Sequence, residues 1–220
     1  MRITETDIRD NTQIKTYIEM ADKSLNAIGY TEHSFAHVTK VADMAKQLLL
    51  DLGKSKHEAE LAWISGYMHD IGNIINRIDH AQSGAVMAFR ILDKMGVDAS
   101  DIAVIISAIG NHDESTAFPV NDVAAALILA DKTDVRRSRV RNAADTVRDI
   151  HDRVNYAVED ATCTLNKEKT ALTLEMTLNT DICPVMEYFE IFLGRMLLCR
   201  KAADKLNIVF CLNINGQKII

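Results

Sequence analysis

Apolar residues recur at three- and four-residue spacing through the first two thirds of the chain, a periodicity typical of amphipathic helices. Glycines such as Gly29 and Gly110 follow the periodic stretches and mark where helices end. The pattern predicts helices over residues 11–28, 31–52, 58–68, 80–95, 98–109 and 123–134. Trp63 and Phe89 are expected in the core of the helical body that these segments form.

Several of the helix starts carry capping signals. Thr31 is the expected N-cap of the second helix, where the periodic stretch begins. Ser55 precedes the third helix, and Glu58 three residues later completes the pattern of a capping box. Either Asn121 or Asp122 is expected to cap the helix that contains Asp131.

The hydrophobic pattern of the sequence changes after about residue 149, where Val, Thr and Leu alternate with polar residues. The predicted elements are a hairpin of strands 156–165 and 170–178, a helix from Pro184 to about Leu206, and strands 208–212 and 218–220 around the Asn215-Gly216 turn. The fold class is therefore mainly α, with a helical domain over residues 1–150 and a small C-terminal α+β subdomain over residues 151–220.

Composition narrows the class of protein. With 220 residues, 48% of them hydrophobic, the chain can bury a substantial core, and a net charge of −6 argues against a nucleic-acid polymer as partner. The four cysteines lack Cys-x-x-Cys spacing, and the polar N-terminal stretch lacks the apolar segment of a signal peptide, which predicts free thiols in the cytoplasm. The longest apolar runs have eight residues, too few for a membrane span of about 20. A soluble cytoplasmic protein is expected.

Histidines and aspartates lie at the edges of the apolar segments. His37 is on the second predicted helix, His69-Asp70 closes the third, and Asp131 directly follows the apolar run that ends at Ala130. A buried charge requires a partner, and imidazole with carboxylate is a good ligand set for a divalent metal ion. Each histidine alone is more often a satisfied core or surface residue than a ligand. The order His, His-Asp, Asp across separate helices favours a metal site.

From Thr31 to Asp134, this order of residues resembles the HD superfamily of metal-dependent phosphohydrolases, which is named for the adjacent His-Asp pair. His37, followed by Val38 and then Val41-Ala42, fits the first family histidine better than His33 does. The resemblance implies an HD-domain helical bundle. It also implies a first metal ion held by the four residues His37, His69, Asp70 and Asp131.

Two further histidines extend the resemblance. The stretch from His80 to Gly84-Ala85 and the loop that contains His112 are similar to parts of the two-metal HD proteins, among them the HD-GYP phosphodiesterases. That similarity implies a second ion bound by His80 and His112, with Asp70 bridging the two ions. The chain lacks the Gly-Tyr-Pro motif, so cyclic-dinucleotide specificity is not implied. The alternative for both histidines is that of polar loop residues.

The ligand types suit Fe, Mn, Co or Ni, one or two ions per chain, because they combine imidazole and carboxylate without cysteine. Two such ions can clamp a phosphoryl oxygen and generate hydroxide from bound water near neutral pH. In this scheme Asp70 has a catalytic role because it bridges the two ions. Asp113 or Glu114 positions the water or orients His112, the alternative being a solvated loop acid.

Cationic residues near the motif are candidates for holding a phosphorylated substrate, since guanidinium groups bind phosphate bidentately. An equally weighted alternative for the arginines after Asp131 is a solvated helix face paired with Asp134 or Asp145. His33, one helical turn from His37, either faces the substrate or closes the site. The candidate substrate-binding residues are Lys132, Arg136, Arg137, Arg77 and His33.

These residues predict a metal-dependent phosphohydrolase, of phosphomonoesterase or phosphodiesterase type, that uses a metal-activated hydroxide on a nucleotide or another small phosphorylated compound. One alternative is a non-catalytic nucleotide sensor or scaffold, in which the α+β subdomain mediates a homodimer. Another is a di-iron oxygenase on the same scaffold. The presence of all four core ligands favours the enzyme over the sensor.

Overall fold

The structure, a computed structural model, describes residues 2–114, 116–141 and 150–220. A helical body is followed by a small sheet and one long helix, so the predicted fold class is confirmed. The helices of the body are α1 (Glu5–Arg9), α2 (Thr12–Ala27), α3 (Phe35–Asp51), α4 (Lys56–Met68), α5 (His80–Lys94), α6 (Ala99–Gly110) and α7 (Asp122–Lys132). Short 3₁₀ turns at Ile71–Ile74 and Arg137–Arg139 follow α4 and α7.

Two of the predicted caps are present. The Ser55 side chain accepts from the Glu58 backbone N–H at 3.1 Å, and the Glu58 carboxylate accepts from the Ser55 N–H at 3.1 Å, which is the predicted capping box. Asn121, rather than Asp122, caps α7 by accepting from the Ala124 N–H at 2.8 Å. Helix α4, which ends at the His69-Asp70 pair, and helix α7, which contains Asp131, thus begin at caps that the local sequence predicts.

The N-cap predicted at Thr31 is wrong, because α3 begins at Phe35 with Ser34 as its cap. The residues before Ser34 are held in a loop by the chain near Arg139. The Glu32 N–H donates to the Arg139 carbonyl at 2.8 Å, and Arg139 Nε donates back to the Glu32 carbonyl at 3.0 Å. These bonds connect residues far apart in sequence, so periodicity does not reveal them.

Helices α3, α4 and α7 form the centre of the body. Every residue from Leu61 to Met68 of α4 and from Val123 to Ala130 of α7 is buried, because each helix is surrounded by others. Helix α3 approaches α4 closely at Gly66, where an added Cβ would lie 2.7 Å from the Ala42 Cα. Trp63 is buried as predicted, whereas Phe89 is 45% exposed on the outer face of α5, contrary to expectation.

The C-terminal part contains α8 (Ile150–Ala157), α9 (Val185–Lys205) and a four-stranded sheet in the order β1-β2-β3-β4. The predicted hairpin is confirmed as antiparallel β1 (Val158–Leu165) and β2 (Ala171–Leu178), although Tyr156 belongs to α8 instead of the strand. Helix α9 connects β2 to a parallel neighbour, β3 (Val209–Ile214), and β4 (Gln217–Lys218) follows β3 through the predicted turn.

Helix α9 packs against both α7 and β3, so it joins the C-terminal part to the helical body. The predicted domain boundary at residue 150 directly follows residues 142–149, which lie outside the described part of the chain, and it stays a prediction. Among the described residues, none of the helices has the length and apolar character that a membrane crossing requires.

Candidate metal centre

Six side chains gather where several helices begin or end. They belong to the first turn of α3, the C-cap of α4 and the residue after it, the start of α5, the loop after α6 and the last turn of α7. The group consists of His37, His69, Asp70, His80, His112 and Asp131. All but Asp131 are buried, and the Asp131 side chain is only 11% exposed. The structure thus brings together every residue that the sequence suggested as a metal ligand.

Local chain geometry orients three of the four imidazoles. In His69, His80 and His112 the Nδ1 atom lies 2.8, 3.0 and 2.6 Å from the carbonyl oxygen of the residue three positions earlier. His37 Nδ1 instead lies 2.8 Å from a carboxylate oxygen of Asp134. Since these oxygens can only accept, each Nδ1 donates, and in a neutral ring Nε2 keeps a free lone pair.

The free Nε2 atoms converge on each other and on the carboxylates. His37 Nε2 lies 3.3 Å from Asp131 Oδ1, His69 Nε2 lies 3.2 Å from Asp70 Oδ2, and the Nε2 atoms of His80 and His112 are 3.1 Å apart. His37 Nε2, His69 Nε2 and Asp70 Oδ2 are buried without a hydrogen-bond partner. Buried acceptors that face acceptors are unfavourable unless a cation lies between them. The arrangement fits a divalent metal ion.

The pKa shifts agree with this electrostatic pattern. Burial raises the pKa of the Asp70 and Asp131 carboxyls, but His69 beside Asp70 and Lys132 beside Asp131 outweigh it and hold both pKa values well below their usual range. Burial lowers the pKa of His69, and the two carboxylates outweigh it and raise that pKa. Burial keeps the pKa of His112 well below its usual value. The Asp70 and Asp131 carboxylates are therefore charged, and a cation between them would be stabilised.

The two oxygens of Asp70 face different histidines. Oδ2 lies 3.6 Å from His37 Nε2 and 3.2 Å from His69 Nε2, whereas Oδ1 lies 3.6 Å from His80 Nε2. Asn73 Nδ2 donates to Oδ1 at 2.8 Å and holds the carboxylate in this orientation. Asp70 is therefore placed where one carboxylate can connect two neighbouring ion positions.

Asp134 is a part of the site that the sequence did not single out as such. Its carboxylate is fully buried, accepts from His37 and lies 2.8 Å from Lys40 Nζ and 2.9 Å from Arg136 Nε. Burial raises the pKa of Asp134, but the bond to His37 and the cations around it lower that pKa far below the usual range. A permanently charged carboxylate fixes the ring of His37 and raises its basicity as a ligand.

A cavity of about 610 Å³ is lined by four of the six residues, Asp70, His80, His112 and Asp131. Three of the predicted substrate-binding residues, Lys132, Arg77 and His33, line it. Arg77 Nη1 lies 3.4 Å from His80 Nε2, and His33 Nδ1 donates to the Thr31 carbonyl at 2.7 Å. Burial holds the pKa of His33 well below its usual value, so its Nε2 is an acceptor at the cavity wall.

Three other predicted residues do not line this cavity. Arg136 is paired with Asp134, and Arg137 Nε donates to the Tyr156 carbonyl at 2.5 Å. Their predicted contact with substrate is not supported by these positions, since both guanidinium groups bind other parts of the protein. Asp113 is half-buried and is not among the residues that line the cavity, and its predicted catalytic role stays a prediction. Asp145, the alternative arginine partner, lies outside the described residues.

The cavity wall also includes Glu114, Arg139 and Arg195, three charged residues for which the sequence suggested no contact with substrate. Lys132 Nζ lies 2.7 Å from Asp131 Oδ2 and 3.4 Å from Glu114 Oε2, and Arg195 Nε lies 2.5 Å from Glu114 Oε1. Burial raises the pKa of Glu114, but Lys132 and Arg195 outweigh it and lower that pKa to about 2. Arg139, also on the wall, is buried and donates to the Asp134 carbonyl at 3.1 Å.

Comparison with known proteins places this site in a family. The model of the HD domain matches residues 34–147, more than half of the chain and the whole stretch that contains the six residues. Neither the curated proteins nor the solved structures yield a match. The matched range and the buried His/Asp cluster agree, and the chain belongs to the HD domain family, whose members are generally metal-dependent phosphohydrolases.

Proposed function

We propose that this protein is a metal-dependent phosphohydrolase acting on a nucleotide or another small phosphorylated compound. The proposal rests on one observation. Imidazole nitrogens that carry no proton converge with the Asp70 and Asp131 carboxylates in a buried group at a cavity. Clusters of this kind, held by hydrogen bonds on the far side of each ring, are typical of metal sites. A cavity of about 610 Å³ is of the size that binds small organic ligands.

The orientation of Asp70 favours two ion positions. In the proposed assignment the first ion is held by His37, His69, Asp70 and Asp131, and the second by Asp70, His80 and His112. The donors are nitrogen and oxygen without sulfur, which suits Fe, Mn, Co or Ni rather than a structural zinc. The bound ions would supply Lewis acidity at the phosphoryl oxygens and lower the pKa of water.

The protein itself contributes positive charge and orientation. Lys132 is 5% exposed, and its ammonium group points to the same region as Asp131, where it can neutralise charge that develops on a phosphoryl oxygen. Arg77 lies beside His80 on the cavity wall and can bind a further phosphoryl oxygen. The buried surroundings strengthen both interactions, because less water screens them.

The test is elemental analysis of the purified protein alongside the His69→Ala variant. We expect one or two equivalents of a transition metal per chain in the wild type and loss of that metal in the variant, since His69 Nε2 faces Asp70 and lies near Asp131. The loaded protein is then assayed on nucleotides and simple phosphate esters with the metal that was found. Hydrolysis should be lost together with the metal.

A protein that is isolated without metal and also fails to take up Mn, Co or Ni would contradict the proposal. Turnover under anaerobic conditions separates the hydrolase from the oxygenase alternative, because hydrolysis needs water and no oxygen. A loaded protein that releases phosphate only in the presence of oxygen would favour the oxygenase.

His80→Ala tests the second ion position by itself. His80 Nε2 faces Asp70 Oδ1 and His112 Nε2. The variant should therefore lose about one of two bound ions and keep the other. Metal counting by mass spectrometry checks this result. His57→Ala is the matched control, since His57 is bonded to Asp101 away from the cluster, and it should keep full metal content.

A further inference from the structure

Helix α9 contributes a basic side chain to the cavity from outside the matched HD domain. Arg195 lines the cavity together with its neighbours Ile191 and Gly194, whereas the family match ends at residue 147. The Arg195 guanidinium lies 4.4 Å from the centroid of the Phe192 ring, a cation–π contact that holds it in place. The side chain is 26% exposed, so the cation is only partly hydrated.

Arg195 is connected to the metal centre through two charged side chains. Its Nε binds Glu114, whose other oxygen lies 3.4 Å from Lys132 Nζ. Lys132 Nζ in turn lies 2.7 Å from the candidate ligand Asp131. A single carboxylate therefore separates Arg195 from the lysine next to the metal centre. Both cations line the cavity, Lys132 next to Asp131 and Arg195 on the other side of Glu114.

From this geometry we propose that Arg195 is a specificity-determining residue, which binds an anionic group adjacent to the phosphoryl group that reacts at the metal centre. The preferred substrate would then carry two linked phosphate groups, with Lys132 at the first and Arg195 at the second. The inference rests on the proposed function, because the metal centre defines which group reacts. The contact with Glu114 is an ion pair made through Nε.

Gly194 supplies a second, steric observation at the same place. An added Cβ would meet nothing within 4 Å, so open space lies next to this position on the cavity wall. A glycine inside a helix costs about 0.5–1 kcal/mol relative to alanine. Gly194 lies within α9 directly before Arg195 and lines the same cavity.

The test compares two non-hydrolysable ligands on the metal-loaded protein by titration calorimetry. Methylphosphonate offers one phosphonate group, and methylenediphosphonate offers two. We expect Arg195→Gln to weaken binding of the diphosphonate about tenfold or more, the effect of losing a charge-assisted hydrogen bond, and to change methylphosphonate binding by less than about twofold. Arg195→Lys should recover part of the diphosphonate affinity, because it keeps the charge without the planar fork.

Arg200→Gln is the matched control, since Arg200 is an exposed residue of the same helix, and it should bind both ligands like the wild type. Metal content is measured after each titration to exclude chelation by the diphosphonate. An equal loss for both ligands, or no loss for the diphosphonate, would overturn the role of Arg195. If the wild-type protein binds metal and methylphosphonate but gains no affinity for the diphosphonate, the two-site arrangement fails. If it binds no metal, the proposed function fails and this inference with it.

Discussion

Asp70→Asn should abolish both metal binding and hydrolysis. In the wild type, the two carboxylate oxygens of Asp70 face His37 and His69 on one side and His80 on the other. The substitution therefore removes an anionic ligand from both ion positions. An amide is neutral and one of its two polar atoms is a donor, which would point at bare imidazole nitrogens. We expect metal content near zero and activity lower by on the order of a thousandfold or more.

Thermal unfolding with and without added Mn²⁺ separates this effect from loss of the fold. Ligand that binds only the native state raises the melting temperature, so the wild type should be stabilised by the metal and Asp70→Asn should not. Asn73→Ala provides a graded control. It removes the hydrogen bond to Asp70 Oδ1 but leaves the carboxylate, and we expect metal affinity to fall by about 10–100-fold. Full metal content in Asp70→Asn would exclude the bridging role.

Gly72→Ala should strongly destabilise the protein. An added Cβ would lie 2.0 Å from the His80 carbonyl oxygen and 2.5 Å from the Gly84 backbone nitrogen. Both are backbone atoms, so the segment after Asp70 and the start of α5 would have to separate. We expect a loss of about 3 kcal/mol or more in the free energy of unfolding, measured by denaturant titration. Metal affinity should fall too, because the same contact sets the distance between His69-Asp70 and His80.

Gly110→Ala is the matched control for that experiment. Gly110 also lies near the site, at the end of α6, but an added Cβ would meet only the Ala85 Cβ at 3.6 Å, an ordinary contact. Its stability should stay within about 1 kcal/mol of the wild type or rise slightly, since alanine favours helix. Equal stability of the two variants would show that the close backbone contacts at Gly72 leave room for a side chain.

The sequence predicted the elements well where local chemistry decides them. The capping box of Ser55 and Glu58 and the hairpin of β1 and β2 depend on neighbours within a few residues, and both are present. The prediction failed at Thr31, where bonds to Arg139 replace the first turn of helix, and at Phe89, which periodicity placed in the core. In both cases the outcome depends on which residues from distant parts of the chain pack nearby, and periodicity does not show this.

The identity of the candidate ligands follows from the sequence, and so does much of their orientation. The rings of His69, His80 and His112 are fixed by carbonyl groups three residues earlier, a contact within one turn of chain. Membership of the HD domain family is likewise a property of the residue order, since the match covers residues 34–147.

Tertiary structure alone decided the rest of the site. Asp134 reaches His37 across 97 positions, and Arg195 reaches Glu114 from a helix of the C-terminal part. The arginines adjacent to the motif in sequence, Arg136 and Arg137, turn to other partners. Residue type and local spacing determine what a side chain can bind and how its ring is held. Only the packing of α3, α7 and α9 determines which charges meet, because electrostatic contacts depend on distance in space and not along the chain.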